Sequence, residues 1–411
     1  MNKTQNIKIF LFLLLIAVFS GCDLNKNDDP KPEDKYLLSF NMYREYNLVD
    51  IKATLTLYAN FYPELQSIVD NVQHDINVYT ITYNTKFEGK DIIASGLVSI
   101  PKTADTNPIM SYQNGTNTLH SDAPSVNPNN QFFQLLEFVA STGFVVSVPD
   151  YLGFGASSDM FHPYLDKEST IQSVTDMLRA VKELSTNHLD IKINNDLYIT
   201  GYSQGGWATM QLQKAIEDKY ASEFNLKASS CGAGPYDLRY VNDYILGLTN
   251  YPMPYFIGYI FNSYLNLKYI TNPSSDIFKT PYDKNILTSY NGTKSGEEIN
   301  AQLTTVTADL FTADYKSTSN TNAKFSSVIS SLNNNSIAAW KTNIPTLITH
   351  GTADTYVPEQ ISVNMYNDFL AKGVDKSKIT YIPIPGAGHN TAVVPSGVAT
   401  FNWFFSLRNS K

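Results

Sequence analysis

Cysteine is nearly missing from this 411-residue chain, which has two, Cys22 and Cys231. With Cys22 at the start of the mature protein, as argued below, no internal disulfide can form, and stability has to come from packing. Cys231 stands among small residues, Ala-Ser-Ser-Cys-Gly-Ala-Gly, with no basic neighbour to lower its pKa. It is expected to be a buried strand end, not a reactive thiol. Positive charge is also scarce. The formal net charge is −8, and it becomes more negative once a leader holding Lys3 and Lys8 and no acid is removed. No basic run occurs anywhere, which argues against nucleic acid as a partner. Internal repeats are not evident. The one long apolar run, residues 9–19, is too short and wrongly flanked for a membrane span.

That run has a positive start and ends at Ser20-Gly21-Cys22, which describes an export signal over residues 1–21. The cysteine after small residues resembles a bacterial lipoprotein box. The resemblance implies that Cys22 becomes the mature N-terminus and carries lipid, holding an exported protein at the bacterial cell envelope. The other reading is an ordinary signal peptide with an incidental cysteine. Residues 22–35 then form a polar tether with two prolines, five acids and Leu24 as the only large apolar residue. Such a segment cannot offset the entropy of ordering, so a flexible spacer is expected.

About 375 residues remain, enough for one large core plus an insertion. Over residues 36–75 apolar side chains fall at helical spacing (Leu48, Ile51, Leu55, Tyr58), which predicts a helical lead-in. Tyr79, Ile81 and Tyr83 then alternate with polar residues. A second run, residues 92–100, follows a turn at Glu88-Gly89-Lys90, so the pair reads as an antiparallel hairpin. From there strands and helices alternate. Strands are expected at 108–113, 144–148, 196–200, 226–231, 346–350 and 378–384. Helices are expected at 168–184, 203–220, 358–372 and 395–407, with another opened by Asn127 and Pro128 and closed by Gly143. Repeated strand–helix–strand predicts an α/β fold, a mostly parallel sheet with helices on both faces. Residues 235–343 break the alternation and read as an insertion, dense in aromatics at first and rich in Ser, Thr and Asn later. The expected organisation is a core of 36–234 and 344–411 with a largely helical cap at 235–343.

Gly201-Tyr202-Ser203-Gln204-Gly205 matches G-x-S-x-G between an apolar strand and a helix with small residues, the setting of a nucleophile elbow in an α/β-hydrolase. The turn is tight, so positions two before and two after the serine need to be small. The bland alternative is a Gly-rich turn with an exposed serine. A serine hydroxyl needs a base, and on this fold the partners follow in the order Ser, acid, His. Only His350 and His389 come after Ser203. His389 lies in Pro-Gly-Ala-Gly-His-Asn just past the last strand and is the expected base. His350 ends a buried strand and is expected to be satisfied by backbone. Asp354, four residues past that strand, is the expected acid, with Asp237 as rival. The Gln204 amide is one expected oxyanion donor. The other is sought in Asn114-Gly115-Thr116-Asn117, with Thr116 first and Gly115 second. His120 and His162 precede the serine, and structural or substrate-contact roles are expected for them.

Taken in order, Tyr112-Gln113-Asn114-Gly115-Thr116, Pro149-Asp150-Tyr151-Leu152-Gly153-Phe154-Gly155, His162-Pro163-Tyr164-Leu165, the elbow, Gly351-Thr352-Ala353-Asp354-Thr355-Tyr356-Val357-Pro358 and Gly386-Ala387-Gly388-His389 resemble the secretory lipase family and related bacterial secreted esterases. The resemblance runs from about residue 77 to the end, outside the insertion. It implies ester hydrolysis through an acyl-enzyme, with no metal and no cofactor, on lipid or polysaccharide esters. The chain departs at Asn114, where relatives often have histidine, and this bears on the second oxyanion donor. A serine peptidase of the same fold and a non-catalytic glycan-binding lipoprotein are the competing readings.

Overall fold

In the computed structural model, which describes residues 32–409, the alternating runs pair as expected. Ile76–Phe87 (β2) and Lys90–Pro101 (β3) form the hairpin, closed by Glu88 and Gly89 at positive φ. The N-terminal segment differs from the sequence reading. Leu37–Tyr46 (β1) is a strand that pairs antiparallel with β2, and the helix begins only at Leu48–Ala59, where the Asn47 side chain accepts from the Asp50 amide. The helical spacing from Leu48 onward is real but does not extend backward. β1 lies at the sheet edge with most side chains exposed, so no buried alternation marks it.

The remaining strands are Asn107–Gln113 (β4), Val145–Pro149 (β5), Ile193–Tyr202 (β6), Asn225–Gly232 (β7), Thr346–Gly351 (β8) and Ile379–Ile384 (β9). Their order is β1-β2-β3-β5-β4-β6-β7-β8-β9, antiparallel up to the β3–β5 pair and parallel from β5 onward. β4 and β5 are buried along their whole length, as strands covered on both faces must be. One face packs Met177, Trp207 and Phe369, from the helices Lys167–Glu183, Gln204–Ala215 and Gln360–Ala371. The other packs Ile51, Phe133 and Phe405, from Leu48–Ala59, Gln131–Val139 and Val393–Asn409. The helix expected from Asn127 starts at Gln131 instead. Asn130 is the residue whose side chain reaches the Phe132 amide, and Pro128 lies in the turn before it. Gly143, at φ 89°, ends the short turn that follows. Cys231 is fully buried in β7, and burial pushes its thiol up to about 12.

Between β7 and β8 the regular structure is helical, with Leu238–Gly247 and Pro254–Asn266 as the longest early helices. Cys22, the leader and most of residues 22–35 lie outside the described residues. The last two tether residues are held: Asp34 accepts from Asn187 Nδ2 at 2.8 Å, and the Lys35 amide donates to Glu183 Oε1 at 3.0 Å. No helix among the described residues is long and apolar enough to cross a membrane.

Candidate active site

β6 runs straight into the helix Gln204–Ala215, and the chain has to reverse within one residue. Ser203 takes that conformation, φ 60° and ψ −121°, which side chains rarely adopt. Its amide donates to Gly232 O at 2.8 Å on the neighbouring strand. A side chain at Gly201 would meet Gly205 O at 2.5 Å and Gln113 O at 2.6 Å, and one at Gly205 would run into the Gln113 carbonyl. The elbow needs its glycines because main chain from β4 passes directly behind it.

Parallel strands bring the loops after β6, β8 and β9 to one end of the sheet. There His389 Nε2 lies 2.8 Å from Ser203 Oγ, and His389 Nδ1 lies 2.6 Å from Asp354 Oδ2. A carboxylate only accepts, so Nδ1 carries the proton and Nε2 is left to accept from the serine hydroxyl. All three side chains are buried. The two loops interlock. The Ala353 amide donates to Ala387 O at 3.0 Å, and Tyr202 OH donates to His389 O at 2.7 Å. The other oxygen of Asp354 accepts from the amides of Tyr356 and Val357 at 2.8 and 3.0 Å.

His350 is satisfied by backbone, as expected, donating from Nε2 to Val357 O at 2.9 Å. It does more than the sequence reading held: the same nitrogen lies 3.2 Å from Asp354 Oδ2, and Nδ1 meets Ser362 Oγ at 2.7 Å. Burial alone would raise the Asp354 carboxyl. Hydrogen bonds from His350 and His389 outweigh it and hold the group well below the usual carboxylate range. Asp237 stands apart from this cluster, exposed, with its side chain capping the helix Leu238–Gly247 through the Tyr240 amide.

Gln204 and Thr116 both border a cavity of about 330 Å³, together with Asn114, Gly115 and Asn117. Each is held from behind by a residue of the His-Pro-Tyr-Leu stretch. Gln204 Nε2 lies 2.9 Å from His162 Nε2, and Thr116 Oγ1 lies 2.7 Å from Tyr164 OH. His162 Nδ1 faces Leu152 O at 2.7 Å and therefore donates, so its Nε2 accepts from Gln204. Burial pushes the His162 pKa down to about 4, against the bond to Leu152, which keeps the ring neutral in that role. Sequence reasoning allowed His162 a structural part but missed Gln204 as its partner; the only signal was the motif itself. His120 lies away from the triad, its ring 5.9 Å from that of Phe154 and its amide bonded to Gly292 O.

Sheet order, elbow and histidine loop together define an α/β-hydrolase. The secretory lipase profile matches residues 130–410, and the chain belongs to that family. Hydrolysis of carboxylic esters follows from membership as the broad activity. A Legionella pneumophila protein provisionally termed a hydrolase is similar, with a TM-score of 0.81 and 25% identity over 92% of this chain and 99% of that one. The rice cell wall degrading esterase LipA of Xanthomonas oryzae has a TM-score of 0.77 at 23% identity, over 92% and 98%. Candida antarctica lipase A has a TM-score of 0.60 at 17%, over 89% and 82%. Comparison with curated protein sequences finds no match.

Proposed function

We propose that the protein is an exported serine esterase in which Ser203 is the nucleophile, His389 the base and Asp354 the acid that orients the base. One observation carries the reading: the chain of hydrogen bonds Ser203–His389–Asp354, at 2.8 and 2.6 Å, on a strained elbow. Ser203 Oγ attacks the ester carbonyl carbon while its proton passes to His389 Nε2. The oxyanion is met by the Gln204 amide and by an amide of the Gly115–Thr116 stretch. Collapse breaks the bond to the alcohol, which leaves with the proton from His389. Water, deprotonated by the same ring, then releases the acid and regenerates the serine. Asp354, kept ionised by its hydrogen-bond partners, stabilises the imidazolium in both halves.

The segment 235–343 acts as a cap, because Val241, Ile245, Tyr251, Phe256, Ile257 and Ile260 line a cavity together with Ser203. Tyr236 and Tyr251 are both fully buried, and Tyr251 and Phe256 line that cavity. Lipid on Cys22 tethers the enzyme to the cell envelope, a reading supported by the leader sequence. A fluorophosphonate probe tests the mechanism. Labelling of wild type but not of Ser203→Ala is expected, and an unlabelled wild type would return the protein to the non-catalytic glycan-binding class. Peptide and ester panels run side by side separate esterase from peptidase. For the anchor, acyl chains on Cys22 by mass spectrometry are expected, and Cys22→Ser should leave the membrane fraction.

A further inference from the structure

The cavity that touches Ser203 is small, about 30 Å³, and its walls are mostly apolar. It is about a tenth the size of the cavity beside Gln204, about 330 Å³. The walls are braced. Tyr164, on one side, shares its hydroxyl with Thr116 and stacks on Tyr259 with ring centroids 4.4 Å apart, and Tyr259 stacks on Tyr290 at 4.6 Å. Tyr290 OH donates to Tyr255 O at 2.7 Å and fills the space that a side chain at Gly258 would take. Tyr251 OH donates to Tyr356 O at 3.1 Å. Side chains pinned at both ends do not move aside for a longer chain without losing those bonds.

Other space exists, but not at the nucleophile. An apolar cleft of about 80 Å³ under the helix Val393–Asn409 is lined by neither Ser203 nor His389. The cavity of about 330 Å³ borders Gln204 and is partly polar, with Asn114, Asn117 and Asp150 in its lining. Phe132, Phe133 and Phe154 also line it, so it is roomier than the cavity at Ser203 and less uniformly apolar.

We infer that the small cavity seats the acid and the larger one the alcohol, so that the enzyme selects esters of short acids over long ones and this selectivity resides on the acid side of the bond. The inference rests on the esterase reading above. Val241, Ile257 and Ile260 close the acyl site, and each further methylene meets a packed wall. The test uses the full-length protein and 4-nitrophenyl esters from acetate to octanoate, beside acetates of small and bulky alcohols. Between butyrate and octanoate kcat/KM is expected to fall about tenfold to a hundredfold, the usual cost of overpacking a filled site. The acetates are expected to vary less than that. Ile260→Ala should raise the octanoate-to-acetate ratio by about tenfold or more, and Ile257→Val, a gentler cut, should move it the same way. A flat or rising wild-type series overturns the inference without any variant. So does an unchanged ratio in both variants, or a dependence on alcohol size steeper than on acid length. If fluorophosphonate labels Ser203 yet no ester is cleaved, the esterase reading falls and this one falls with it.

Discussion

The cleft around Ser203 has two walls made by different means. On the sheet side the positions are set by main chain: a serine at φ 60°, glycines with carbonyls packed behind them, and two loops tied to each other by amides. On the cap side they are set by side chains, several of them tyrosine and isoleucine, carried mainly by the helices Leu238–Gly247 and Pro254–Asn266. A main-chain wall tolerates almost no exchange of residues, whereas a side-chain wall can be recut one residue at a time. On the proposed mechanism, chemistry belongs to the first and substrate choice to the second.

Removing the nucleophile should hurt most. Ser203→Ala is expected to lower kcat by about 10⁶ while shifting the melting temperature little, since it deletes one oxygen; activity within about a hundredfold of wild type would exclude Ser203. Next comes the acid. Asp354→Asn should cost about 10⁴ in kcat by upsetting the histidine tautomer, with Asp237→Asn within about twofold because it only caps a helix. The reverse ranking would redraw the sheet-side wall. Behind the oxyanion position, His162→Ala should lower kcat about tenfold at nearly constant KM, the scale of one lost supporting hydrogen bond. An effect confined to KM would mean that Gln204 does not depend on it. On the other wall, Phe256→Ala should leave kcat/KM for acetate within about threefold while altering the response to longer acids. Equal losses on every ester would erase the contrast between the walls.

The smallest expected effect lies behind the sheet. Glu137, in the helix Gln131–Val139, is buried, and burial pushes its carboxyl up to about 8 against the pull of Arg44 and Tyr46. A carboxyl whose pKa is raised on folding favours the folded state while it stays protonated. Its contribution is complete below the ordinary glutamate range and is lost as pH rises through about 8. The melting temperature should therefore drop by a few degrees between about pH 5 and 9, and Glu137→Gln should remove most of that slope. Asp354 works in the opposite sense, since its carboxyl is held low. Its share is present above the ordinary aspartate range and disappears as the solution is acidified below it.

Most of the sheet-side wall could be read from the chain. Gly201, Gly205 and the two late histidines constrain one another through the order Ser, acid, His, and the structure brings Ser203, Asp354 and His389 within hydrogen-bond reach. Residues 36–46 could not, because an exposed edge strand has no buried face to impose a period. Nor could the partnership of His350 with Asp354. It depends on how the turn after β8 folds back, and a spacing of four residues outside a helix carries no geometry. For the cap aromatics, the sequence offers tyrosines and phenylalanines in number. Which of them face Ser203 is decided by helix packing that local pattern does not encode.

The position of β9 bears on how the enzyme would fail. It is the last strand of the sheet, bonded only to β8, with half of its length open to solvent and Pro383 within it, whereas β6 lies between β4 and β7. Edges open before centres, so amides of β9 should exchange with deuterium sooner than those of β6. The proposed base, His389, follows the edge strand, and the proposed nucleophile, Ser203, follows a central one. Mild heating would thus separate them while the rest of the sheet stays intact. Turnover should vanish at a temperature where the circular dichroism spectrum still reads native, and should return on cooling.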